Sequence, residues 1–166
     1  MMSGLEVGSR APQFSATKQD GQILTLDDCL QRGALVLFFY PKDGTPICTA
    51  EACAFRDAYE EFLQCGASVV GVSSDSAAAH QAFATKYRLP FPLIADTQGE
   101  LRKSFGVARL WGLLPGRVTY VIDHEGIIRK IFSGALHSSR HVREALDALR
   151  STPAEGGEDR APSRSG

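Results

Sequence analysis

The stretch that most constrains the fold of this chain runs from residue 34 to residue 56 and reads ALVLFFYPKDGTPICTAEACAFR. It begins with an unbroken apolar run at residues 34–40, which is typical of a strand buried on both faces of a largely parallel sheet. Pro41 ends the run because proline has no N–H to donate to a neighbouring strand. Thr45 is a favourable N-cap, and Pro46 suits the first position of a helix. The sequence therefore predicts a buried strand, a short loop and a helix that carries Cys48 in its first turn.

A thiol at the start of a helix has a distinctive chemistry. The thiolate is the reactive form of cysteine, and a thiol with an ordinary pKa near 8.5 is only about 3% ionised at pH 7. Unpaired N–H groups and a partial positive charge at a helix N-terminus stabilise the anion. Thr45 precedes Cys48 by three residues and can direct its hydroxyl at the sulfur or at an oxygen bound beside it, while Pro41 closes one side. This setting predicts a reactive cysteine rather than a structural one.

Cys53 follows Cys48 by five residues on the same predicted helix. On a straight helix such positions are about 8–9 Å apart at Cα and face directions about 140° apart, whereas a disulfide needs Cα atoms within roughly 7 Å. The two cysteines therefore cannot form a disulfide while the helix is intact, and pairing would couple the redox state to local unwinding. The spacing is not C-x-x-C, which disfavours a thioredoxin-type dithiol site.

Composition limits the class of protein. The 166 residues, 43% hydrophobic and 22% charged, suit one globular domain. We expect this domain to span residues 5–150, between a flexible stretch at 1–4 and a disordered tail at 151–166 whose only apolar side chains besides proline are alanines. A net charge of −1 offers no basic surface for nucleic acid. No apolar run approaches the roughly 20 residues that span a membrane as a helix.

The sequence also bears on location and on metals. The first residues, MMSGLEVGSRAP, lack the apolar core of a secretory signal and the Arg/Ser-rich character of a transit peptide, so a cytoplasmic location is the default expectation. The chain has four cysteines, at 29, 48, 53 and 65. Without a signal peptide they favour catalysis or metal binding over structural disulfides, and Cys65 is expected to be a small hydrophobic side chain or an idle thiol. Paired zinc knuckles are not evident, so neither a metal nor another cofactor is expected.

The remainder of the chain alternates strands and helices. Strands are predicted at 13–17, 23–26, 67–72, 89–96, 117–122 and 127–132, and helices at 46 to about 64, 77–87, 99–105 and from about 138 to 150. On the long first helix, Glu51 is expected to face water. His80 is expected to be a surface or partly packed side chain. His137 and His141 have a spacing that resembles a metal pair, but a capped surface helix is the favoured interpretation.

The segment FYPKDGTPICTAEACAFRD resembles the active-site signature of the peroxiredoxins, in particular the peroxiredoxin Q or bacterioferritin comigratory protein branch. The likeness continues through KYRLPFPLIAD and LLPGRVTYVID and covers roughly residues 5–150. The family motif P-x-x-x-T-x-x-C corresponds here to Pro41, Thr45 and Cys48, and the family's active-site arginine corresponds to Arg117. One departure is Ile47, where many relatives carry glycine; the change removes no catalytic group.

This resemblance implies an α/β fold of the thioredoxin-like class, a three-layer sandwich with a mixed central sheet flanked by helices. It implies that Cys48 attacks the O–O bond of hydrogen peroxide or an organic hydroperoxide and becomes a sulfenic acid, which Cys53 resolves as an intramolecular disulfide. Thioredoxin or a similar dithiol reductant would restore both thiols, as in an atypical 2-Cys peroxiredoxin that serves antioxidant defence and redox homeostasis. The resemblance leans towards a monomer.

Two other functions fit the same residues. A thiol–disulfide oxidoreductase without peroxidase activity would also use an activated Cys48, although Thr45 and Arg117 would be surplus to pure disulfide exchange. A redox sensor whose helix unwinds on oxidation would bind a partner differently in its reduced and oxidised forms. Arg117 discriminates against the first alternative, because a guanidinium beside the sulfur favours both the thiolate and the oxyanion that develops as O–O breaks.

Overall fold

A mixed sheet forms the centre of the computed structural model, which describes residues 5–107, 109–110, 114–115, 117–134 and 138–151. The central strand β3 (Ala34–Phe39) pairs in parallel with β4 (Ala67–Ser73) and antiparallel with β8 (Val118–Ile122). The outer strands are β5 (Leu93–Ala95), beside β4, and β9 (Ile128–Ser133), beside β8. The sheet order is therefore β5-β4-β3-β8-β9, and the predicted mixed sheet is confirmed.

Helices cover both faces of this sheet. On one face lie α2 (Pro46–Asp57), α3 (Tyr59–Gln64), α4 (Ala77–Tyr87) and α6 (Ser138–Ser151), and on the other lie α1 (Leu26–Leu30) and α5 (Glu100–Ser104). Successive side chains of a strand point to opposite faces. Thus Phe38 packs into the core beneath α2 and α6, while Leu37 and Phe39 pack beneath α1 and α5. All three are 0% exposed, as the apolar run of β3 predicts.

The long helix predicted from residue 46 to about residue 64 is interrupted. α2 ends at Asp57, Ala58 adopts φ −96° and ψ 5°, and α3 begins at Tyr59. α2 packs against α6, whereas α3 packs against β4. The break lets Phe55 and Phe62 both be fully buried and lie with ring centroids 5.6 Å apart. Tertiary packing has overridden a continuous helical pattern at this point.

Short hairpins flank the main sheet. β1 (Ser15–Thr17) and β2 (Ile23–Thr25) pair antiparallel, in agreement with the predicted hairpin. A bridge from Lys18 to Ile94 joins this hairpin to the β5 edge. A second pair, β6 (Arg109–Leu110) and β7 (Leu114–Pro115), precedes β8.

Some expectations concern residues outside the described part of the chain. These are the flexible start at residues 1–4, the disordered tail beyond residue 151, and His137. Among the helices that are described, none combines the length and apolar character that crossing a membrane requires.

Gly33, the residue before β3, lies very close to the backbone of Gly66. Its φ is +139°, and an added Cβ would collide with the backbone oxygen of Gly66, the same oxygen that accepts a hydrogen bond from Ala34 N–H at 3.0 Å. Gly33→Ala should therefore lower the free energy of unfolding by at least about 2 kcal/mol, since backbone atoms cannot rotate away. Gly21→Ala is the control, because Gly21 also has a positive φ of +86° but open space around it. Urea unfolding of both variants measures the difference, and equal losses would contradict the close approach.

Candidate active site

Cys48 lies in the first turn of α2 and is 1% exposed. Thr45 is the N-cap residue, with extended backbone angles, and Pro46 begins the helix, as predicted. The Thr45 hydroxyl, however, donates a hydrogen bond to the Lys42 carbonyl at 3.1 Å. The hydrogen of this hydroxyl therefore bonds to the loop in this structure, and its predicted role towards the sulfur or towards an oxygen bound beside it stays a prediction. Pro41 lies two residues after the end of β3 and is partly exposed.

Arg117 contacts the reactive-cysteine candidate from 69 residues away in the sequence. Its Nη2 donates a hydrogen bond to Cys48 Sγ at 3.3 Å, and the residue is 8% exposed. The topology explains this contact. β8 runs antiparallel to β3, so the residue that precedes β8 lies at the end of β3, where the chain turns into α2. The structure thus brings together Cys48 and Arg117.

Glu51 corrects an expectation from the sequence. It was expected to face water, but it is 0% exposed and its Oε1 accepts a hydrogen bond from Arg117 Nη1 at 2.6 Å. The helical spacing could have indicated this, because residues i and i+3 share a face and Cys48 already points inwards. Arg117 therefore lies between a carboxylate and a sulfur, both on α2.

Burial and charge act in opposite directions on these groups. Burial raises the pKa of Glu51 to about 7, and the nearby Arg117 only partly offsets that effect. Burial by itself lowers the pKa of Arg117, but Glu51, and after it Cys48, raise that pKa above its ordinary value. The guanidinium therefore remains positively charged beside the sulfur, while Glu51 exchanges its proton near neutral pH.

His141, expected on a surface helix, is instead fully buried on α6. Its ring nitrogens lie 2.7 Å from Thr119 Oγ1 and 2.9 Å from the Gly134 carbonyl oxygen. Its Nδ1 is also 3.5 Å from Glu51 Oε2. The amphipathic pattern of α6 gave no signal for this, because a buried histidine depends on partners from β8, β9 and α2 that only the tertiary structure supplies.

The loop between β3 and α2 is anchored by a second buried histidine. His80 on α4 is 0% exposed, not a surface side chain, and its Nδ1 lies 2.6 Å from Asp43 Oδ2. Asp43 also accepts a hydrogen bond from the Tyr40 hydroxyl at 2.5 Å and donates one through its backbone N–H to Asp75 at 2.8 Å. Arg102 Nη2 donates to the Tyr40 carbonyl at 3.1 Å. These contacts hold the loop that delivers Cys48.

Three of these groups could accommodate a cation by distance alone. Asp43, Asp75 and His80 each offer one ligand atom within 4.8 Å of the others. Those atoms already take part in the hydrogen bonds that join the loop to β4 and α4.

The other cysteines occupy different environments. Cys53 lies on α2 and is partly buried, and neither it nor Cys48 is in a disulfide here. Cys29 lies on the opposite face of the sheet, where burial raises the pKa of its thiol to about 12. Cys65 lies after α3, next to the start of β3 and so at the opposite end of that strand from the Cys48 loop. Of the other three cysteines, Cys53 is the one that lies on the same helix as Cys48.

The chain is similar to known proteins in sequence and in structure. A family model described as the AhpC/TSA family matches residues 7–131. The chain is 46% identical over 145 residues to the chloroplastic peroxiredoxin Q of Populus jackii, covering 87% of this chain and 68% of that protein. The structure is similar to the crystal structure of peroxidoxin BcpB from Mycobacterium tuberculosis, with a TM-score of 0.85 at 37% identity over 90% of this chain and 99% of that one.

A further solved structure is the bacterioferritin comigratory protein of Xanthomonas campestris, with a TM-score of 0.76 at 30% identity over 83% of this chain and 90% of that one. This chain spans about two thirds of the length of the plant relatives that it matches. These neighbours confirm the predicted thioredoxin-like fold class.

The predicted cytoplasmic location was wrong. The finding that overturns it is that the Populus protein and the other plant relatives, 43–46% identical, are chloroplastic proteins. The prediction used the absence of a recognisable targeting segment as a default, and the residues that build a fold do not encode where the protein is delivered.

The matched family model covers most of the chain, and the relatives agree with it in sequence and in structure. The chain therefore belongs to the AhpC/TSA family, as a thiol-dependent peroxidase of the peroxiredoxin Q branch.

Proposed function

We propose that this chain reduces hydrogen peroxide and organic hydroperoxides with Cys48 as the attacking thiol. The observation that carries the proposal is the contact of Arg117 Nη2 with Cys48 Sγ at 3.3 Å, at the N-terminus of α2. The helix N-terminus and the guanidinium both favour the thiolate. A pure disulfide exchanger has no use for a guanidinium placed to stabilise a developing oxyanion, so this contact favours a peroxidase.

In the first step the Cys48 thiolate attacks one peroxide oxygen. The S–O bond forms, the O–O bond breaks, and the leaving oxygen takes a proton and departs as water or an alcohol. Cys48 is thereby oxidised by two electrons to a sulfenic acid. Arg117 stabilises the negative charge as it moves from the sulfur to the leaving oxygen. The Thr45 hydroxyl donates to Lys42, but its oxygen can still accept a hydrogen bond from the peroxide. Pro41 shapes the neighbouring wall.

In the second step the Cys53 thiol attacks the sulfenic sulfur of Cys48. The S–S bond forms and the sulfenic oxygen leaves as water, so that both thiols are consumed. A thioredoxin-like dithiol then reduces this disulfide by exchange. The relative from Xanthomonas campestris is described for alkyl peroxide reduction, which supports including organic hydroperoxides among the substrates.

The remaining assignments rest on composition and on the family resemblance, which leans towards a monomer. We propose a monomer in which residues 5–150 form the peroxidase domain. The charge of −1 argues against nucleic acid as a partner, and no membrane partner is proposed.

Peroxide consumption coupled to thioredoxin tests the function. Cys48→Ser should abolish consumption, because no other thiol has the same activating contacts. Cys53→Ser should lose thioredoxin-dependent turnover while still reacting once with peroxide. Cys65→Ser is the matched control and should behave as wild type, since Cys65 lies away from the site. If Cys48→Ser retained wild-type turnover, the proposal would be wrong.

A further inference from the structure

The hydrogen bonds of His141 determine which of its nitrogens carries hydrogen. Nε2 lies 2.9 Å from the Gly134 carbonyl oxygen, which can only accept, so Nε2 must carry the donated hydrogen. In the neutral ring, Nδ1 is then a bare acceptor, and it accepts a hydrogen bond from the Thr119 hydroxyl at 2.7 Å. His141 is thus fixed in one tautomer by two partners, neither of which can supply a proton to the region between the ring and α2.

Glu51 lies next to His141 Nδ1, the ring nitrogen that carries no hydrogen. Its Oε1 accepts from Arg117 at 2.6 Å, while Oε2 lies 3.5 Å from His141 Nδ1. Oε2 is buried and has no hydrogen-bond partner among the described residues. A carboxylate oxygen and a nitrogen lone pair repel each other, and an unsatisfied buried oxygen costs free energy. One added proton, on either atom, turns this repulsion into a hydrogen bond, provided that the Thr119 hydroxyl rotates and no longer donates to the one lone pair of Nδ1.

We propose that His141 is a positioning residue for peroxide reduction: it shares one proton with Glu51 and so sets how much of the Arg117 charge is available to Cys48. This inference rests on the proposed function, because it assigns a role within the same site. The proton belongs to the pair as a unit, so it need not be assigned to one residue. The connection to the sulfur is continuous, from His141 through Glu51 and Arg117 to Cys48.

The sign of the effect follows from the charges. With the proton bound, the pair and Arg117 together carry a positive charge that stabilises the Cys48 thiolate. When the proton leaves, the Glu51 carboxylate offsets the guanidinium, and the thiolate loses part of its stabilisation. The pKa of Glu51, raised to about 7 by burial against the lowering effect of Arg117, places this exchange near neutral pH. Loss of the pair's proton therefore opposes ionisation of Cys48.

The neighbouring groups that the structure describes do not exchange a proton with His141 and Glu51. The Phe132 ring meets His141 edge-on with centroids 4.8 Å apart and carries no ionisable group. The charged residues on the outer side of α6 and β9 pair with one another, at 2.9 Å between Lys130 and Glu144 and 3.8 Å between Arg140 and Glu144. Among the residues that the structure describes, Arg117 contacts Glu51 directly, and Cys48 contacts Arg117 in turn.

The test measures the thiolate of Cys48 by its ultraviolet absorbance between about pH 5 and 9, with Cys48→Ser as the blank. Glu51→Gln reproduces the protonated pair, because its amide oxygen can accept from Arg117 and its NH₂ can donate to Nδ1 once the Thr119 hydroxyl has rotated away. The midpoint of thiolate formation should fall by about one pH unit and follow a single step. His141→Gln keeps a donor for the Gly134 carbonyl but removes Nδ1. Glu51 then loses its proton at lower pH, and the midpoint should rise by about one pH unit.

The double variant provides the decisive comparison. If His141 acts through Glu51, then His141→Gln should have no further effect in the Glu51→Gln background. A general loosening of the site would move both single variants in the same direction, and that result would overturn the proposal. So would an equal shift from His141→Gln in both backgrounds. Glu51→Gln is nearly isosteric, so its predicted fall tests the proposal even where the His141 variant does not fold.

The outcome is separable from that of the peroxidase assignment, since the absorbance requires no peroxide. If Glu51→Gln and His141→Gln shift the midpoint of thiolate formation in opposite directions but wild-type Cys48 does not react with peroxide, the proton sharing stands and the proposed function fails. If Cys48 reduces peroxide but neither variant moves the midpoint of thiolate formation, the proposed function stands and the proton sharing is refuted.

Discussion

Arg117→Ala should lower the second-order rate constant for the reaction of Cys48 with hydrogen peroxide by about 10²–10³-fold, the usual loss when one oxyanion-stabilising donor is removed. The physical reason is the double contact of the guanidinium, at 3.3 Å from Cys48 Sγ and 2.6 Å from Glu51 Oε1. Without it, both the thiolate and the leaving oxygen lose the positively charged donor that Arg117 supplies. Stopped-flow mixing of the reduced protein with peroxide measures the constant.

Two controls sharpen this prediction. Arg117→Lys keeps the charge but lacks the planar fork that reaches the sulfur and the carboxylate together, so an intermediate loss of about tenfold is expected. Arg129→Ala removes a different arginine, which pairs with Asp123 at 2.6 Å and is 43% exposed, and should leave the rate constant unchanged. A rate constant for Arg117→Ala within about threefold of wild type would remove the oxyanion role from Arg117.

Oxidation should unfold the start of α2. Cys48 and Cys53 are unpaired within one helix that runs from Pro46 to Asp57, and their spacing there is too long for a disulfide. Closing the bond must therefore break the hydrogen bonds of the first turns, including Thr49 N–H to the Thr45 carbonyl at 2.8 Å. Amide hydrogen exchange at these positions should accelerate by about 10²-fold or more when the disulfide forms.

Helix α4 is the internal control for that experiment. Its amides, between Ala77 and Tyr87, lie outside the rearrangement and should exchange at the same rate in both redox states. Peroxide-treated Cys53→Ser, which cannot close the disulfide, should keep slow exchange at the start of α2. A mapped Cys48–Cys53 disulfide with unchanged exchange in α2 would contradict the coupling between redox state and unwinding.

The local part of the site was predictable from the sequence, and the part built from distant segments was not. The apolar run of β3 and the Thr45–Pro46 cap place Cys48 on α2 by short-range rules, and the structure agrees. Arg117 was identified through the family motif alone, because no local pattern indicates a contact across 69 residues. Glu51 was placed on the wrong face, since acidic residues are rarely buried without a partner and that partner, Arg117, lies just before β8.

The same reasoning explains the two histidines and the break at Ala58. His80 and His141 are buried because each meets hydrogen-bond partners from other elements, at Asp43 and Ile94 and at Thr119 and Gly134. The long helix is divided because α2 and α3 pack on different neighbours, α6 and β4. Periodicity within one segment carries no information about either.

The measurement that tests the central claim most directly is the intact mass and thiol count after one equivalent of hydrogen peroxide, on wild type, Cys48→Ser and Cys53→Ser. The mechanism predicts the loss of two protons and two thiols in wild type, a trappable sulfenic acid in Cys53→Ser, and no reaction in Cys48→Ser. A disulfide in Cys53→Ser within the same chain would make Cys29 or Cys65 the resolving thiol. An unreacted Cys48 in the wild-type protein would contradict the peroxidase mechanism itself.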